Sequence, residues 1–572
     1  MINRETYNHT TLPISEYQKV FFLEWALRPS EITYNIAYIQ KVNGTLDLRR
    51  IKEACTFFIR NHEIVHAQFS GDGTHCYYGA FEIEDIYCEG VFDVSRSVEE
   101  QLKNFLYKPF DLTEGPLLRI YVLKNESTSL QEYYFFFVAH HIICDATWVS
   151  LFFTEIASLY NAGIVEMQRR DVSVNTFSLA VERGNLIYDE FYKDQAKLFW
   201  KDLLEDTPLR TELPYRSGII ESDLDSFLAD KTGEFIYFEI DSSKTEELKT
   251  HAADKGVSLF VLLSGLYGLC ISKFSGQKKF FLTYPVNTRP VGFSDTAGCF
   301  VNNIPMKIDL DSFSDLGQLI LELTLQRRKA KLHQGYALRS ILKDQRRENE
   351  RDINDLFNVG FSQSYLNALA FDLNDMQVTP IDLAWSINSV YEFGLLYDDR
   401  SPALRFKLEY RKCLFDADAV AKFVDEFKIA IDTLIMGGSL LSSELSLLPE
   451  SSYVQQVRDW NRTDQDYDSD RTIHLVFENR AKLLPENTAV VYKGLSLSYR
   501  ELEERSNQLA RHIRKHYALI NGVSLERGSL VGLLLDRSLE LVIGILGVLK
   551  SGGAYVPLDP SYPVERISYI LT

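Results

Sequence analysis

The chain has 572 residues, of which 45% are hydrophobic, 13% aromatic and 25% charged, and its formal net charge is −19. This composition is typical of a folded protein and excludes low-complexity disorder over most of the length. Basic residues form no long block, so the electrostatic footprint of a nucleic-acid-binding protein is missing, and the length predicts several domains.

The cysteines and the apolar runs bear on the cellular compartment. The seven cysteines are scattered and form no CxxC pair, which argues against a zinc site or a secreted disulfide framework and favours a reducing cytosol. The opening sequence MINRETYNHTTLP lacks the apolar core of a signal peptide, and the apolar run at 541–549 is too short to span a bilayer. We therefore expect a cytoplasmic protein with no membrane span and no metal site.

The first third of the chain alternates between predicted helices and strands. Ser15 is a candidate N-cap for a helix in SEYQKVFFLEWAL, a strand is predicted in TYNIAYIQKVNG, and a helix in LDLRRIKEACTFFIRNHEIV. LLRIYVLKN and YYFFFVAHH are predicted to pair as strands, the second of them apolar on both faces like a central strand. DATWVSLFFTEIASLYNAG then predicts a helix with Asp145 as its N-cap and Gly163 as its C-cap.

A second set of helices and strands begins near Gly233. FIYFEI and KKFFLTYPVNTR predict strands, and SKTEELKTHAADKG and SLFVLLSGLYGLCISKFSG predict helices. Because the two halves contain units of similar size, we predict two related lobes, at 1–175 and 176–445. A Ser-, Asp- and Arg-rich linker is predicted at 446–471, and a strand–helix–strand pattern predicts a further α/β domain at 472–572.

The most informative motif is VAHHIICDATW, in which two histidines end an apolar strand and Asp145 follows four residues after His141. Taken alone, His140 and His141 could be hydrogen-bonded core residues, and Asp145 could be only an N-cap. A strand end, however, places His141 at the carboxyl edge of a sheet, where sites gather in α/β folds. A neutral imidazole, with an ordinary pKa of about 6.5, is suited to accept a proton from an amine.

The motif HHIICDA resembles the His-His-x-x-x-Asp-Gly signature of condensation domains in non-ribosomal peptide synthetases, which are relatives of chloramphenicol acetyltransferase. Six further segments resemble other landmarks of that family and occur in the family's order: LPISEYQKVFFLE, RNHEIVHAQF, NTRP, GCFVNNIP, HQGYALRSIL and RDINDLFNVGFSQ. Towards the end of the chain, WNRTD, LSYREL and LKSGGAYVPLDP resemble the junction and the first two motifs of an adenylation domain.

The resemblance implies an α/β fold in which two chloramphenicol acetyltransferase-like lobes form a V-shaped pseudo-dimer, followed by a truncated α/β adenylation subdomain. In this family a donor acyl thioester is joined to the α-amine of an aminoacyl thioester inside a tunnel between the lobes. Carried over to this chain, His141 acts on the amine as a general base or orients it, and His140 is structural. Asp145 pairs with Arg289 to fix the loop, and Asn302 lies on the strand that bridges the lobes near the tunnel.

The chain departs from the family pattern at Ala146, where the signature has glycine. If this position needs a positive φ, alanine costs about 1 kcal/mol or more. If it needs only a small residue, the added methyl group narrows the channel. Val65 and His66 replace the usual leucine and arginine of RNHEIVHAQF, and we expect both changes to be tolerated because His141 and Asp145 remain.

The implied partners are carrier proteins that deliver phosphopantetheine-tethered substrates, with no cofactor bound directly. Because the first landmark lies close to residue 1, we expect the donor to arrive on another protein or as an acyl-CoA, and the acceptor on a downstream carrier. A starter domain that N-acylates the first amino acid with a fatty acid and an ordinary elongation domain both remain open.

Other functions are also compatible with parts of the sequence. An epimerisation-type relative shares the fold and the histidine pair, but the adenylation-like segment after the linker argues against it. The change at Ala146 makes possible an inactive platform that recruits a tailoring protein, and a CoA-dependent small-molecule acetyltransferase leaves the adenylation-like segment unexplained. The phosphate-contacting loop, amino-acid pocket and catalytic lysine of the adenylation family are missing from 472–572, so we expect this part to be inactive.

Overall fold

The computed structural model describes residues 11–127, 131–162, 176–313, 315–344, 353–363, 371–381, 388–437, 447–467 and 469–571. The chain divides into two compact units, Met1–Tyr453 and Val454–Thr572. Two β-sheets of the first unit each have their own hydrophobic core and define a first and a second lobe. The predicted C-cap Gly163, the predicted lobe boundary at 175 and the predicted start of the linker at 446 lie outside the described residues.

Helices and strands alternate along the first unit. Its described strands are β1 (Leu12–Pro13), β2 (Asn35–Asn43), β3 (Ala67–Phe69), β4 (His75–Tyr78), β5 (Tyr87–Val91), β6 (Leu118–Asn125), β7 (Glu132–His140), β8 (Gly233–Ile240), β9 (Lys279–Asn287), β10 (Val301–Asp309), β11 (Val359–Gln363), β12 (Gln377–Ile381), β13 (Phe393–Asp398) and β14 (Leu404–Arg411). Its described α-helices are α1 (Glu16–Leu27), α2 (Leu48–Asn61), α3 (Ile83–Ile86), α4 (Val98–Leu106), α5 (Ala146–Ala162), α6 (Phe177–Ile187), α7 (Glu190–Leu204), α8 (Leu224–Ala229), α9 (Ser242–Asp254), α10 (Leu259–Ser275), α11 (Leu316–His333), α12 (Leu338–Asp344), α13 (Ile353–Leu356) and α14 (Ala417–Ile435). The predicted α/β class is confirmed.

The sheet of the first lobe has the strand order β12-β2-β7-β6-β5. The predicted central strand β7 lies between β2 and β6, pairs antiparallel with both, and is buried along its whole length. Helices α2 and α5 pack together over this sheet, where Phe58 contacts the rings of Trp148 and Phe152. Burial of both faces explains why the sequence of β7 is an uninterrupted apolar run.

Two segments from later in the chain complete the first lobe. The edge strand β12 pairs antiparallel with β2, with Gln377 opposite Asn43 and Ile381 opposite Ile39. The connection between β9 and β10 also reaches the first lobe, because Phe300 belongs to the hydrophobic core of that lobe. The two lobes are therefore joined by strand pairing and by side-chain packing.

The second lobe has a six-stranded mixed sheet in the order β10-β9-β11-β13-β14-β8. β9 and β10 pair antiparallel, whereas β11 runs parallel to both β9 and β13. The apolar helix α10 is buried over most of its length and packs against α11 and α14. A helix that is apolar on all sides is typical of such a core position.

The second unit carries its own small core. Helix α15 (Glu450–Val454) begins in the first unit and ends at the first residue of the second. It is followed by a π-helical turn (Gln455–Asp459) and by the elements α16 (Ile473–Leu483), β15 (Thr488–Tyr492), β16 (Leu495–Ser498), α17 (Tyr499–Asn521), β17 (Leu530–Leu534), α18 (Leu539–Ser551), β18 (Ala554–Leu558) and α19 (Val564–Leu571). β15 and β16 form an antiparallel pair, and β17 and β18 are parallel strands joined by α18. Gly552 ends α18 with a φ of 91°, a left-handed conformation that glycine adopts without strain.

Most predicted elements are confirmed, and one predicted helix ends earlier than expected. The helix predicted in LDLRRIKEACTFFIRNHEIV already ends at Asn61, because the backbone of His62 is extended and its ring bonds to Glu155 of α5 at 3.0 Å. The segment predicted as a linker contains helical structure, Glu450–Val454 followed by Gln455–Asp459.

Helix length and hydropathy bear on membrane crossing. No single helix among the described residues is long and apolar enough to cross a bilayer. α9 and α10 meet the length and composition only as a pair that is bent by 102°, and α10 lies in the core of the second lobe.

Candidate active site

His141 is the first residue after β7, and its surroundings fix the turn that begins there. Its backbone N–H donates to the carbonyl of Tyr34 at 2.8 Å. Its imidazole stacks on Phe21 of α1, with 4.9 Å between ring centroids and 20° between ring planes. From the same helix, Gln18 Nε2 donates to the carbonyl of Ile142 at 3.1 Å. His141 is held in this way and is partly exposed as a residue.

The two histidines of the motif have different environments. His140 is 4% exposed, and its Nδ1 accepts from the backbone N–H of Ile142 at 3.2 Å. Burial, with a smaller contribution from His141, lowers the pKa of His140 to about 3. Burial also lowers the pKa of His141, against opposing effects of its own carbonyl and of the Asp145 carboxylate. Both rings are therefore neutral near pH 7, and His141 is the more accessible of the two.

A small cavity lies beside His140 and is lined by charged side chains of both signs. Among them are Glu24 and Arg28, at the end of α1, and Lys231 from the second lobe. Lys231 Nζ lies 3.8 Å from a carboxylate oxygen of Glu24. His141 does not line this cavity, so the cavity belongs to the surroundings of the buried His140.

The carboxylate of Asp145 accepts four hydrogen bonds. Oδ1 accepts from the backbone N–H of Trp148 at 3.1 Å, which confirms Asp145 as the N-cap of α5. Oδ2 accepts from the backbone N–H of Phe300 at 2.9 Å. Arg289 donates to Oδ2 and Oδ1 at 2.7 and 2.8 Å, and the two side chains are 3% and 7% exposed. The predicted pairing of Asp145 with Arg289 is present as a buried, bidentate ion pair.

Arg289 also fixes the backbone that precedes β10. Its Nη2 donates to the carbonyl of Gly298 at 3.0 Å, and its guanidinium lies 4.7 Å from the ring centroid of Phe300. The planar arrangement of donors on arginine permits these contacts together with the carboxylate pair. Since Gly298 and Phe300 flank Cys299, the pair of Asp145 and Arg289 holds the chain on both sides of that cysteine.

Asn302 lies on β10 and shapes a turn of the second lobe. Its Nδ2 donates to the carbonyls of Gln334 and Tyr336, both at 2.9 Å. Between these residues, the carbonyl of Gly335 accepts from the hydroxyl of Tyr17 at 2.7 Å. Because Tyr17 belongs to α1, the turn that Asn302 organises is in contact with the first lobe.

The structure accommodates the three residues that depart from the family pattern, Ala146, Val65 and His66. Ala146 is the exposed first residue of α5 and is not among the described non-glycine residues with positive φ, so it carries no left-handed strain. Val65 is fully buried in the first core. Nε2 of His66 lies 3.0 Å from the carbonyl oxygen of Ile59, and this contact anchors the ring of His66 to the end of α2.

Sequence reasoning missed three residues that contact His141: Phe21, Tyr34 and Cys299. The Sγ of Cys299 lies 4.0 Å from Nδ1 of His141. The sequence does contain a signal for Phe21, because it follows Tyr17 by four residues on one face of α1. No sequence pattern connects Tyr34 or Cys299 with His141, since these contacts form only when distant segments pack.

Comparison with known proteins identifies the relatives of this chain. Residues 8–457 match the family model described as Condensation domain, and residues 477–572 match the one described as AMP-binding enzyme. Gramicidin S synthase 2 of Aneurinibacillus migulanus is 27% identical over 567 residues, which cover 98% of this chain and 12% of that protein. The chain thus spans only a small part of this curated relative.

Solved structures share the fold. A four-domain nonribosomal peptide synthetase, in its holo form bound to AMP and glycine, has a TM-score of 0.78 at 21% identity, covering 98% of this chain and 42% of the other. The condensation domain from the Monacolin K polyketide synthase MokA has a TM-score of 0.64 at 15% identity, covering 76% of this chain and 99% of the other. At these identities the likeness establishes the fold.

Proposed function

Since this chain belongs to the condensation-domain family of non-ribosomal peptide synthetases and continues into the start of an AMP-binding domain, we propose that it forms an amide between two thioester-bound substrates. The α-amine of a carrier-bound aminoacyl thioester attacks the carbonyl carbon of the donor acyl thioester. A C–N bond forms and the donor C–S bond breaks. The proton of the amine passes through His141 to the departing thiolate, so the products are an amide and a free thiol.

The observation that carries this proposal is the neutral imidazole of His141, a partly exposed residue at the end of β7. Its lowered pKa keeps the ring unprotonated near pH 7, as a proton acceptor requires. Phe21 stacks on the ring, and the hydrogen bond to the Tyr34 carbonyl fixes the backbone of His141. Such restriction supports catalysis, because attack of an amine on a thioester depends on alignment of the two reactants.

The other site residues act through His141 in this proposal. His140 is a structural residue, and the ion pair of Asp145 with Arg289 fixes the segments around the motif. Asn302 organises the turn that contacts α1. Ala146, exposed and unstrained at the start of α5, leaves the reaction possible.

The proposed substrates are phosphopantetheine thioesters delivered by carrier proteins. The acceptor arrives on a carrier protein, and the donor arrives on another carrier or as an acyl-CoA. A starter domain uses a fatty acyl donor, whereas an elongation domain uses an aminoacyl or peptidyl carrier. The thioester chemistry is the same in both cases, so the accepted donor has to be identified by experiment.

The test supplies loaded donors and a loaded acceptor carrier and detects the amide by mass spectrometry. Wild-type protein is expected to form the amide, and His141→Ala is expected to lower its rate by about 10²–10⁴-fold. His75→Ala is the matched control, because His75 is also a partly exposed histidine of the first lobe and lies outside the site. Fatty acyl-CoA and aminoacyl or peptidyl carriers, offered separately, distinguish a starter from an elongation domain.

Three results would contradict the proposal in different ways. An unchanged rate in His141→Ala would remove the proton-transfer role. Absence of amide with every donor would favour a recruiting platform. Exchange of the α-hydrogen of a carrier-bound aminoacyl group with deuterium from the solvent would favour an epimerisation-type relative.

We also propose that residues 472–572 do not activate an amino acid by themselves and that the protein works in the cytoplasm. The odd number and scattered positions of the seven cysteines are typical of a protein from a reducing compartment. The expected result is no amino-acid-dependent exchange of pyrophosphate into ATP by this chain. Exchange above the background without amino acid would contradict the first part of the proposal.

A further inference from the structure

We propose that Cys299 is a positioning residue for His141, holding the imidazole so that its Nε2 edge stays free for the reacting amine. The role rests on the amide-forming function proposed above. The Sγ of Cys299 lies 4.0 Å from Nδ1 of His141. Nδ1 and Nε2 occupy different edges of the imidazole, so a sulfur placed against Nδ1 leaves Nε2 on the side away from it.

His141 is held by two contacts to its ring and one to its backbone. Phe21 covers one face of the ring, and the carbonyl of Tyr34 fixes the backbone N–H. Both of these residues belong to the first lobe. Cys299 belongs to the connection between β9 and β10, so it adds a contact at the ring edge from the chain that leads into the second sheet. The orientation of the imidazole therefore depends on the position of the connection between β9 and β10.

Cys299 is itself held in place through its two neighbours. The carbonyl of Gly298 accepts from Arg289 at 3.0 Å, and the N–H of Phe300 donates to Asp145 at 2.9 Å. Cys299 is fully buried, which leaves its side chain little freedom. The buried ion pair of Asp145 with Arg289 thus acts on the catalytic ring through the cysteine that it clamps.

The chemistry of Cys299 favours a positional role over a covalent one. Burial, followed by the nearby Asp145 carboxylate, raises the pKa of the thiol well above its usual value. A buried, protonated thiol is a poor nucleophile and a poor acyl acceptor. The ionisable groups that interact with His141 are His140, Cys299 and the carboxylate of Asp145, and the last is paired with Arg289.

Kinetics of two variants test the contact. Cys299→Ala removes the sulfur, and we expect kcat for amide formation to fall about tenfold while KM for both thioesters stays within about twofold. Cys299→Ser keeps a polar atom at this place and is expected to recover kcat to within about threefold of wild type. Cys270→Ala is the matched control, because Cys270 is a fully buried thiol of α10 that makes no contact with His141.

A measurement without substrates separates this inference from the proposed function. In the full chain carrying ¹⁵N-labelled histidine, the pKa of His141 is read from the pH dependence of its ring nitrogen shifts. Cys299→Ala is expected to raise this pKa towards the ordinary value, because the space left by the sulfur admits water and weakens the effect of burial. Cys270→Ala is expected to leave it unchanged.

Each outcome either supports or overturns the role of Cys299. The role is overturned if Cys299→Ala keeps both the kcat and the His141 pKa of wild type. It is also overturned if Cys270→Ala lowers kcat equally, since general loss of packing then explains the effect. If wild type forms no amide, the proposed function fails while the His141 titration still decides whether Cys299 positions the ring.

Discussion

Two buried arginine–carboxylate clusters of the first unit hold different parts of the molecule in place. The site cluster, Asp145 with Arg289, joins the start of α5 to the segment that precedes β10, next to His141. The core cluster lies within the second lobe and consists of Arg210, Asp355, Glu392 and Arg411. Its ion pairs join Arg210 to Glu392 at 2.7 Å and Arg411 to Asp355 at 2.8 Å.

The core cluster is fully internal to one lobe. Glu392 is completely buried, and burial raises its pKa although Arg210 and Arg411 oppose that shift. Its carboxylate also accepts from Asn358 at 3.0 Å and from Tyr215 at 2.7 Å. The same kind of interaction therefore supports stability in the core cluster and active-site geometry in the site cluster, and mutations should separate these effects.

The largest expected effect is on stability, in Arg411→Met. Loss of this guanidinium leaves the carboxylates of Asp355 and Glu392 undercompensated, and we expect the free energy of unfolding to fall by about 3–5 kcal/mol. Urea unfolding followed by circular dichroism measures the loss. Arg405→Met is the matched control on the same strand, because its side chain is 52% exposed and lies 4.0 Å from Glu239. Equal losses in the two variants would show that burial does not decide the effect.

Arg289→Met, in contrast to Arg411→Met, should lower activity more than it lowers stability. Asp145 keeps the N–H donors of Trp148 and Phe300, so the free energy of unfolding should fall by only about 1–3 kcal/mol. The segment before β10 is no longer fixed, and amide formation should fall about a hundredfold. Urea unfolding and the carrier assay on one preparation give both values. A normal rate combined with a stability loss as large as that of Arg411→Met would remove the distinction between the clusters.

His140, in contrast to the buried ion pairs, is a buried group that stays neutral, and it should make the free energy of unfolding depend on pH. Its pKa is about 3 in the folded protein and about 6.5 when unfolded. Between these two pH values the unfolded state binds more protons than the folded state. The contribution of neutral His140 to the free energy of unfolding is therefore fully present above a pH of about 6.5. It is lost as the pH falls towards 3, by up to about 1.4 kcal/mol per pH unit. His140→Asn should lack this part of the slope in urea unfolding between pH 7 and pH 4. The same slope in both proteins would contradict the assignment.

The smallest expected effect comes from an exposed pair of α9, Lys249 with Glu246. The two side chains lie 2.8 Å apart and are 37% and 68% exposed. Because water screens such a pair, Lys249→Gln should change the free energy of unfolding by less than about 0.5 kcal/mol. A loss comparable to that of Arg289→Met would mean that pairing matters here more than burial does.

Sequence patterns predict the parts of the site that depend on local structure. The apolar run of β7, the N-cap at Asp145 and the helix after it follow from periodicity and capping, and family motifs supply the partner Arg289. The contact between Cys299 and His141 depends on how distant segments pack, which periodicity does not encode.

The strand β12 also escaped prediction, for a related reason. Its sequence, QVTPI, contains Pro380 and is largely exposed, so it lacks the apolar alternation of a half-buried strand. Proline is tolerated at a sheet edge, where one side of the strand makes no ladder bonds. The pairing of β12 with β2 is therefore set by tertiary structure.

The order in which the ribosome produces β2 and β12 has a consequence for biosynthesis. β2 begins at Asn35, and its edge partner is complete only when Ile381 has been translated. Throughout that interval the nascent first lobe has an open strand edge, which can pair with other chains. Synthesis should therefore pass through an aggregation-prone stage that chaperones shield, and it ends when β12 emerges and closes the sheet.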